Sequence, residues 1–479
     1  MLSVMRLPHM VNPKFFAQNT PIYSMQSPNQ PITLYQGSME ILYKQQEKAV
    51  QGTGVLNLTW LPSPRMTFEM EVTSEDFAVT KIQFTEMGRF IPFAKKEITP
   101  EGTSQLKIEI IENYSEIKLL DTGLNLKTDH IKWNNQKAIG VVSSFEHISD
   151  KADESLIFVF FNLVNFYDPN NKDIILKSSE WQITIQPIKD FSNLVKDLEA
   201  FGGYAITHAA KLERIDGKQF SPTEATELLE ALLYFLSFVR GIWSGVILPI
   251  GINKEGSQVW RGQILTKTDS WREAVRSGSS SEYAQRFYEN FPGFINKWKL
   301  EGYKEALRIA IDWYIQGNNR GVNVEGSIIL AQSGLELLCS IMLDEWTQKE
   351  LLKKYGKKKI EDVSFPAKIE ELLAQLKVSM DVPVELGTGA LRETVETLES
   401  RDKKKWTAPS TLANLRNKLT HPDHKNRKGL FDTFKGTQLR GEALNLSLWY
   451  IEILLLNFFG YREDDLREFV IFFKHDIQA

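Results

Sequence analysis

The segment PSTLANLRNKLTHP, residues 409–422, decides how the C-terminal third of the chain folds. Its first two residues can start a helix, because proline fits the first helical turn and serine caps it. Pro422 disfavours continuation, so we expect His421 at or beside the last turn. Apolar residues recur along one helix face, namely Leu412, Leu415 and Leu419. The pattern predicts a helix held by its leucines, with Arg416 and Asn417 on other faces.

This predicted helix places a phosphate-binding side chain next to a titratable one. Asn417 and His421 are four residues apart and therefore share a face. The end of a helix favours an imidazolium ion, which moves the pKa of His421 toward the neutral range. Arg416 carries a permanent charge that can bind a phosphate. The segment is therefore a candidate site for chemistry on a phosphodiester.

The string Arg416-Asn417-x-x-x-His421-Pro422 resembles the R-x(4–6)-H signature of the HEPN superfamily (higher eukaryotes and prokaryotes nucleotide-binding), in its R-N-x-x-x-H-P form. The resemblance implies an all-α helical bundle and a metal-independent endoribonuclease that leaves a 2′,3′-cyclic phosphate. It gives His421 the base or acid role, Arg416 the stabilisation of phosphorane charge, and Asn417 the orientation of the phosphate. It implies no cofactor and no metal.

The spacing of the motif also bears on assembly. Five residues along a helix turn Arg416 and His421 well apart around its axis, so that one copy makes only half a site. HEPN domains usually dimerise with their motifs facing each other. The resemblance therefore implies a homodimer through the C-terminal helical domain, with RNA as the partner.

A second helix, Val324 to Trp346, is apolar around most of its circumference and should be central and buried. Gln332, Glu336 and Ser340 form a polar stripe on it. It looks like the HEPN helix that places an acidic group near the Arg/His pair, so Glu336 could orient Arg416 or raise the pKa of His421. The alternative, that the stripe is only the solvent-exposed face, stays open.

Basic clusters in the same third are candidate RNA contacts, because phosphate binding draws on local lysine and arginine patches. Solvated loop surface is the other interpretation of such runs. Trp406, next to Lys405, could stack a base, or could be a half-buried core residue. The predicted contacts are Lys403, Lys404 and Lys405, and then Lys425, Arg427 and Lys428.

The remaining chain divides by periodicity. After an irregular lead-in at residues 1–34, alternation of period two over residues 35–190 predicts a β-rich, sandwich or barrel-like domain. Residues 191–281 are a mixed connecting region with helical spacing at 191–214, and residues 282–479 are the HEPN-like helical domain. The fold class is therefore α+β multidomain. A serine-rich joint around Gly278 predicts that residues 282–479 fold independently.

Composition limits the function classes. A net charge of −4 means that any nucleic-acid contact must be a local basic patch. One cysteine, Cys339, excludes an intramolecular disulfide and fits the cytoplasm. The most apolar run, Ala231 to Ile252, contains Arg240 and Pro249 and therefore predicts a buried helix and strand rather than a membrane span. No metal-ligand set is evident.

The layout upstream of the motif is similar to that of large prokaryotic HEPN proteins such as ApeA-type phage-defence nucleases. This resemblance implies that the β-rich domain senses an unknown trigger and restrains a phage-defence or toxin effector. Two alternatives to an active ribonuclease remain open. One is a non-catalytic HEPN module that binds RNA, nucleotide or a protein partner; the other is a scaffold whose helical domain only dimerises.

Overall fold

A computed structural model describes most of the chain between residues 23 and 461. Structural statements below concern these residues. They are 23, 25–43, 48–60, 63–72, 93–98, 104–109, 115–119, 124–134, 137–146, 155–161, 163, 173–254, 258–261, 267–277, 288–319, 321, 323–384, 386, 388–420 and 433–461. The predicted joint around Gly278 and most of the predicted lead-in lie outside them.

The N-terminal strands of the described chain form a closed antiparallel barrel and a separate hairpin. Strand by strand they are β1 (Ile32–Tyr43), β2 (Lys48–Thr59), β3 (Arg65–Val72), β4 (Phe93–Ile98), β5 (Ser104–Glu109), β6 (Ser115–Leu119), β7 (Leu124–Asn134) and β8 (Lys137–Glu146). The barrel order is β1-β2-β3-β8-β7-β6, with β6 pairing back to β1, while β4 and β5 pair with each other. Strand β3 shows why these residues form strands with one face in the barrel core. Met66, Phe68 and Met70 point inward and are buried, and the residues between them are not.

A second sheet follows, which we call the middle sheet. Its strands are β9 (Ser155–Phe161), β10 (Ile174–Lys177), β11 (Trp181–Pro187), β12 (Ile206–Arg214), β13 (Gly245–Ile252) and β14 (Gln258–Arg261). They pair antiparallel in the order β10-β11-β12-β9-β13-β14. Helix α1 (Phe191–Phe201) joins β11 to β12, and α2 (Pro222–Arg240) joins β12 to β13. The predicted boundary at residue 190 thus falls inside one sheet.

The prediction of helical spacing through residues 191–214 was wrong beyond Phe201. Gly202 and Gly203 have φ values of 67° and 99°, which end the helix, and Ile206–Arg214 then forms β12. This strand lies between β11 and β9, and its first five residues are all buried. Because both faces of β12 are covered, its sequence lacks the polar–apolar alternation by which a strand is recognised.

The prediction for the apolar run at 231–252 is confirmed. A capping box at Ser221 and Glu224 begins α2, and Gly241 in the left-handed conformation ends it. Strand β13 is buried along its whole length. This run is therefore a core helix followed by a core strand.

The C-terminal region is helical, and with the β-rich region before it the chain has the predicted α+β class. The described helices are α3 (Phe291–Trp298), α4 (Glu301–Gly317), α5 (Val324–Met342), α6 (Glu345–Tyr355), α7 (Phe365–Gln375), α8 (Gly389–Asp402), α9 (Ala408–Thr420) and α10 (Phe434–Phe458). Helix α5 is central and packs against α4, α7, α9 and α10. Among the described helices, α5 is also the one whose length and composition would suffice to cross a membrane.

The two faces of the middle sheet belong to different hydrophobic cores. Ala210, Leu212 and Val246 join a core that runs through α2 and the C-terminal helices to Tyr461. Ala209 and Ile247 join the core of the barrel. The middle sheet therefore packs against the helical region with one face and against the barrel with the other.

Candidate active site

Helix α9 carries the predicted motif and is fixed at its start by reciprocal hydrogen bonds. The Thr407 amide donates to Ser410 Oγ at 2.9 Å, and the Ser410 amide donates to Thr407 Oγ1 at 3.1 Å. The predicted leucine stripe is buried: Leu412, Leu415 and Leu419. The helix is thus held by its cap and by its apolar face, which fixes the direction of the opposite face.

Arg416 and Glu336 are brought together although they are 80 residues apart in sequence. Arg416 Nη1 donates to Glu336 Oε1 in an ion pair between α9 and α5. The side chains are 28% and 41% exposed, so water and ligands can reach both. An ion pair this exposed contributes little to folding, about 1 kcal/mol at most. Its consequence is geometric, because it sets the direction in which the guanidinium points.

The three residues of the predicted polar stripe on α5 differ in burial and in their hydrogen-bond partners. Gln332 is fully buried, and its amide donates to the Leu412 carbonyl at 3.0 Å. Glu336 is half-buried against Arg416, while Ser340 is exposed and donates to the Leu337 carbonyl. The stripe is therefore not simply a solvent face: Gln332 positions α9, and Glu336 contacts the motif arginine.

The described part of the motif ends at Thr420, the last residue of α9. Asn417 is exposed. Thr420 Oγ1 donates back to the carbonyls of Arg416 and Asn417 at 3.1 and 3.3 Å, which satisfies acceptors of the final turn. His421, Lys425, Arg427 and Lys428 lie outside the described residues.

The basic cluster before α9 is exposed, as both a nucleic-acid contact and a solvated loop surface would be. Lys405 pairs with Asp381 at 3.4 Å, and Lys404 lies 4.9 Å from the centre of the Trp406 ring. Trp406 is half-buried. The cluster adjoins the first turn of α9, about 12 Å along the helix axis from Arg416. Lys403, Lys404 and Lys405 therefore flank the motif rather than contact it.

Cys339 is buried, and burial raises the pKa of its thiol to about 12. A protonated, enclosed thiol is not a nucleophile, so Cys339 is a core residue. Within the described ranges no group of His, Cys, Asp and Glu side chains has the arrangement of a metal site.

A buried polar network was missed by sequence reasoning. Arg276 forks onto Glu452 of α10, with Nε and Nη2 donating at 2.8–2.9 Å, and its Nη1 donates to Asn445 Oδ1 at 2.7 Å. Tyr314 of α4 donates to Glu452 Oε1 at 2.7 Å. Both members of the ion pair are almost fully enclosed. The available signal was a carboxylate inside the apolar run Leu448 to Leu456, which demands a buried partner.

Comparison with known proteins gives family matches over the middle sheet region and over the C-terminal helical region. Residues 152–274 match the family described as the YopA central domain, and residues 300–466 match the family described as the YopA C-terminal domain. The SPbeta prophage-derived uncharacterized protein YopA of Bacillus subtilis (strain 168) is 22% identical over 446 residues, and the alignment covers 90% of each chain. No solved structure matches the chain. The second matched region includes Glu336, Arg416 and His421.

Proposed function

We propose that the chain is a cytoplasmic, metal-independent endoribonuclease of HEPN type that acts as a homodimer. The observation that carries the proposal is the Arg416–Glu336 ion pair, on a helix whose next residue in sequence is His421. The pair holds a cation at a half-exposed surface, on a helix that carries an exposed amide and is followed in sequence by a histidine. A cation, an amide and a histidine are the groups that phosphodiester transfer without metal requires.

In this mechanism His421 removes the proton from a ribose 2′-hydroxyl. The 2′-oxygen attacks the adjacent phosphorus, the bond to the 5′-oxygen breaks, and that oxygen leaves with a proton supplied by an acid. The products are a 2′,3′-cyclic phosphate and a 5′-hydroxyl. In a dimer, two copies of His421 supply the base and the acid.

Arg416 stabilises the negative charge that develops on the phosphorane. Glu336 engages its Nη1, while Nε and Nη2 make no hydrogen bond within the described chain and remain available to the phosphate. Glu336 is therefore a positioning residue, and Asn417 orients the phosphate from the same helix. The exposed Lys403, Lys404 and Lys405 would draw the RNA backbone toward α9.

The homodimer is supported by the surface of α5 around Glu336. Ile329 and Leu337 lie on the half-buried arc of this helix that also bears Glu336. A second copy seated there would cover apolar surface and bring two motifs together. Ile329→Arg should therefore give a monomer by light scattering and abolish cleavage, whereas Val384→Arg, at an exposed apolar residue elsewhere, should change neither.

A biological role in conflict between phage and host would suit a toxic ribonuclease. The Bacillus subtilis relative is described as prophage-derived. In this role the barrel would hold the nuclease in check until an unknown trigger binds. Expression of the wild type should then slow growth once the trigger is present, and His421→Ala should remove the toxicity.

The direct test is cleavage of generic RNA by the purified full chain in EDTA. His421→Ala should abolish cleavage, and Arg416→Ala should reduce it about 100-fold or more, the loss typical of removing a charge-stabilising donor. Glu336→Gln should cause a smaller loss. Matched controls are His424→Ala and Arg401→Ala, which should cleave normally.

Two outcomes would contradict the proposal. Undiminished cleavage by His421→Ala would show that the catalytic base lies elsewhere. RNA binding that depends on Arg416, without cleavage in any condition that includes the trigger, would instead identify a non-catalytic binding module.

A further inference from the structure

Two arginines at the end of α2 and in the segment 267–277 have buried N–H groups without hydrogen-bond partners among the described residues. Arg240, in the last turn of α2, is only 6% exposed. Its Nη2 donates to the Arg272 carbonyl at 3.3 Å, and its guanidinium lies 5.2 Å from the centre of the Trp271 ring. Its Nε is buried and has no acceptor among the described residues. Arg240 therefore buries a charge that is neither hydrogen-bonded nor ion-paired to a carboxylate of the described residues.

Other arginines of this chain show that the arrangement is unusual here. Arg276, equally buried, is matched by Glu452. Arg214 is a closer comparison, because it also lies 5.2 Å from a tryptophan ring, that of Trp181, yet it is bound by both oxygens of Asp216 at 2.9 Å. Leaving a buried charge unpaired costs several kcal/mol. Arg240 thus lacks the compensation that its counterparts have.

Arg272 adds a second cation at the same place. It pairs with Asp269 through Nη2 at 2.7 Å, while its buried Nη1 has no acceptor among the described residues. Burial, together with the nearby charge of Arg272, lowers the pKa of Arg240 to about 10, and Glu273 opposes this only in part. Asp269 is matched to Arg272 and Glu273 offsets the charge of Arg240 only in part, so two buried N–H donors, Arg240 Nε and Arg272 Nη1, are left without an acceptor among the described residues.

We propose that Arg240 and Arg272 form a binding site for the phosphate group of a small phosphorylated ligand. Two guanidinium groups offer donors to two oxygens of one phosphate, which is the preferred geometry for this anion. A small ligand fits better than a nucleic-acid backbone, because Arg240 is too enclosed for a polymer to pass over it.

The position of the site couples it to both the barrel side and the helical region. Arg272 and Arg276 belong to one short segment, residues 267–277, and Arg276 is bound to Glu452 in the helical region. The same segment contacts the loop beside the barrel, since the Trp271 amide donates to the Gly203 carbonyl at 2.7 Å. A bound phosphate would thus join α2 to the segment that connects the barrel side to the helices. This site is separate from Arg416 and does not rest on the ribonuclease proposal.

The test is thermal unfolding of the full chain with inorganic phosphate, ADP and a 5′-phosphorylated RNA oligomer, each against chloride at equal ionic strength. The melting temperature should rise with the logarithm of the phosphate or ADP concentration, because a ligand of the folded state stabilises it. Arg272→Gln should remove the rise, and the matched control Arg214→Gln should keep it. Hydrogen exchange of amides in residues 267–277 should slow when phosphate is added to the wild type.

A second variant keeps the proposal falsifiable if Arg272→Gln is unstable. Arg240→Met removes the buried charge, so in chloride it should be at least as stable as the wild type, yet phosphate should not stabilise it. An equal rise in Arg240→Met and the wild type, or no rise in the wild type with phosphate or ADP, would overturn the proposal. A rise only with the RNA oligomer would also overturn it, in favour of a site for RNA ends.

Discussion

The two sides of the middle sheet are joined to the rest of the molecule in different ways. Toward the helices, aromatic side chains of α2 pack against the C-terminal region. The ring centres of Phe235 and Phe291 are 5.2 Å apart, and those of Phe238 and Tyr314 are 5.3 Å apart. Toward the barrel, the contact is led by the stacked rings of Trp60 and Tyr204 at 5.7 Å. The sheet and helices share one core, and a buried ion pair binds residues 267–277, which follow the sheet, to α10. The barrel packs on the sheet's other face.

This difference bears on how the chain could be regulated. The helices that carry Arg416 cannot separate from the middle sheet without exposing their core. The barrel is closed in its own hydrogen bonding, and it meets the sheet through a smaller set of residues, among them Tyr204, Ile206 and Leu248. A trigger that acts on the barrel would therefore transmit its effect through the middle sheet.

The largest expected effect concerns a fragment of residues 282–479. The sequence pattern predicted that it folds alone, but the shared core leads to the opposite expectation. Without α2 and Arg276 it exposes the partners of Phe235 and Phe238 and leaves Glu452 buried and unpaired. It should lack a cooperative unfolding transition by circular dichroism, whereas residues 152–479 should show one. Cooperative unfolding of the shorter fragment would contradict the conclusion that the helices depend on the core they share with the middle sheet.

The next effect concerns the ion pair itself. Arg276→Met should lower the free energy of unfolding by about 3–5 kcal/mol, because Glu452 is left charged in the core. Adding Glu452→Gln removes that charge and keeps an acceptor for the Tyr314 hydroxyl, so the double variant should recover much of the loss. Urea unfolding of the two variants measures this.

The control for this comparison is Arg401→Met, since Arg401 is exposed and pairs with Asp402. It should leave the free energy of unfolding nearly unchanged. If Arg276→Met lowers the free energy of unfolding as little as Arg401→Met does, the buried pair does not hold residues 267–277 to the helices.

The smallest effect concerns His208 on β12, inside the shared sheet. Its ring is fully enclosed, packs edge-on against Phe191, and has no hydrogen-bond partner among the described residues. Burial lowers its pKa to about 3. Below the unfolded-state pKa of about 6.5 the unfolded chain binds a proton that the folded chain does not, so stability falls as pH drops, by roughly 2 kcal/mol at pH 5.

Urea unfolding at neutral pH and at about pH 5 measures this term. His208→Leu should show a weaker fall in stability between the two conditions than the wild type. The difference between the two proteins isolates His208, because carboxylates elsewhere titrate in both. An equal fall in both would show that His208 is accessible to protons in the folded chain.

Sequence patterns predicted the structure where one face of an element is exposed. Strand β3 and helix α9 have such a face, and both lie where alternation or the leucine stripe placed them. Strand β12 was mistaken for helix because both of its faces are covered. Some contacts between distant residues could also be predicted. Glu336 was a candidate partner of Arg416 because it lies in a polar stripe on an otherwise apolar helix.

Arg276 and Glu452 carried no such mutual signal. They are 176 residues apart in sequence, and only the folded chain brings them together. Arg240 and Arg272 likewise gave no signal in the sequence, because their lack of hydrogen-bond acceptors depends on the residues that surround them in the folded chain. Sequence periodicity reports burial of one element at a time, so it does not show which buried charges meet.

The central claim, that Arg416 and His421 cleave RNA through its 2′-hydroxyl, is tested most directly with a DNA oligonucleotide that contains a single ribonucleotide. In EDTA, with any trigger supplied by a lysate of phage-infected cells, the wild type should cut once, directly after the ribonucleotide, and leave a 2′,3′-cyclic phosphate by mass spectrometry. His421→Ala should not cut. Cleavage of the all-DNA oligomer, or a linear phosphate formed without a cyclic intermediate, would contradict the account.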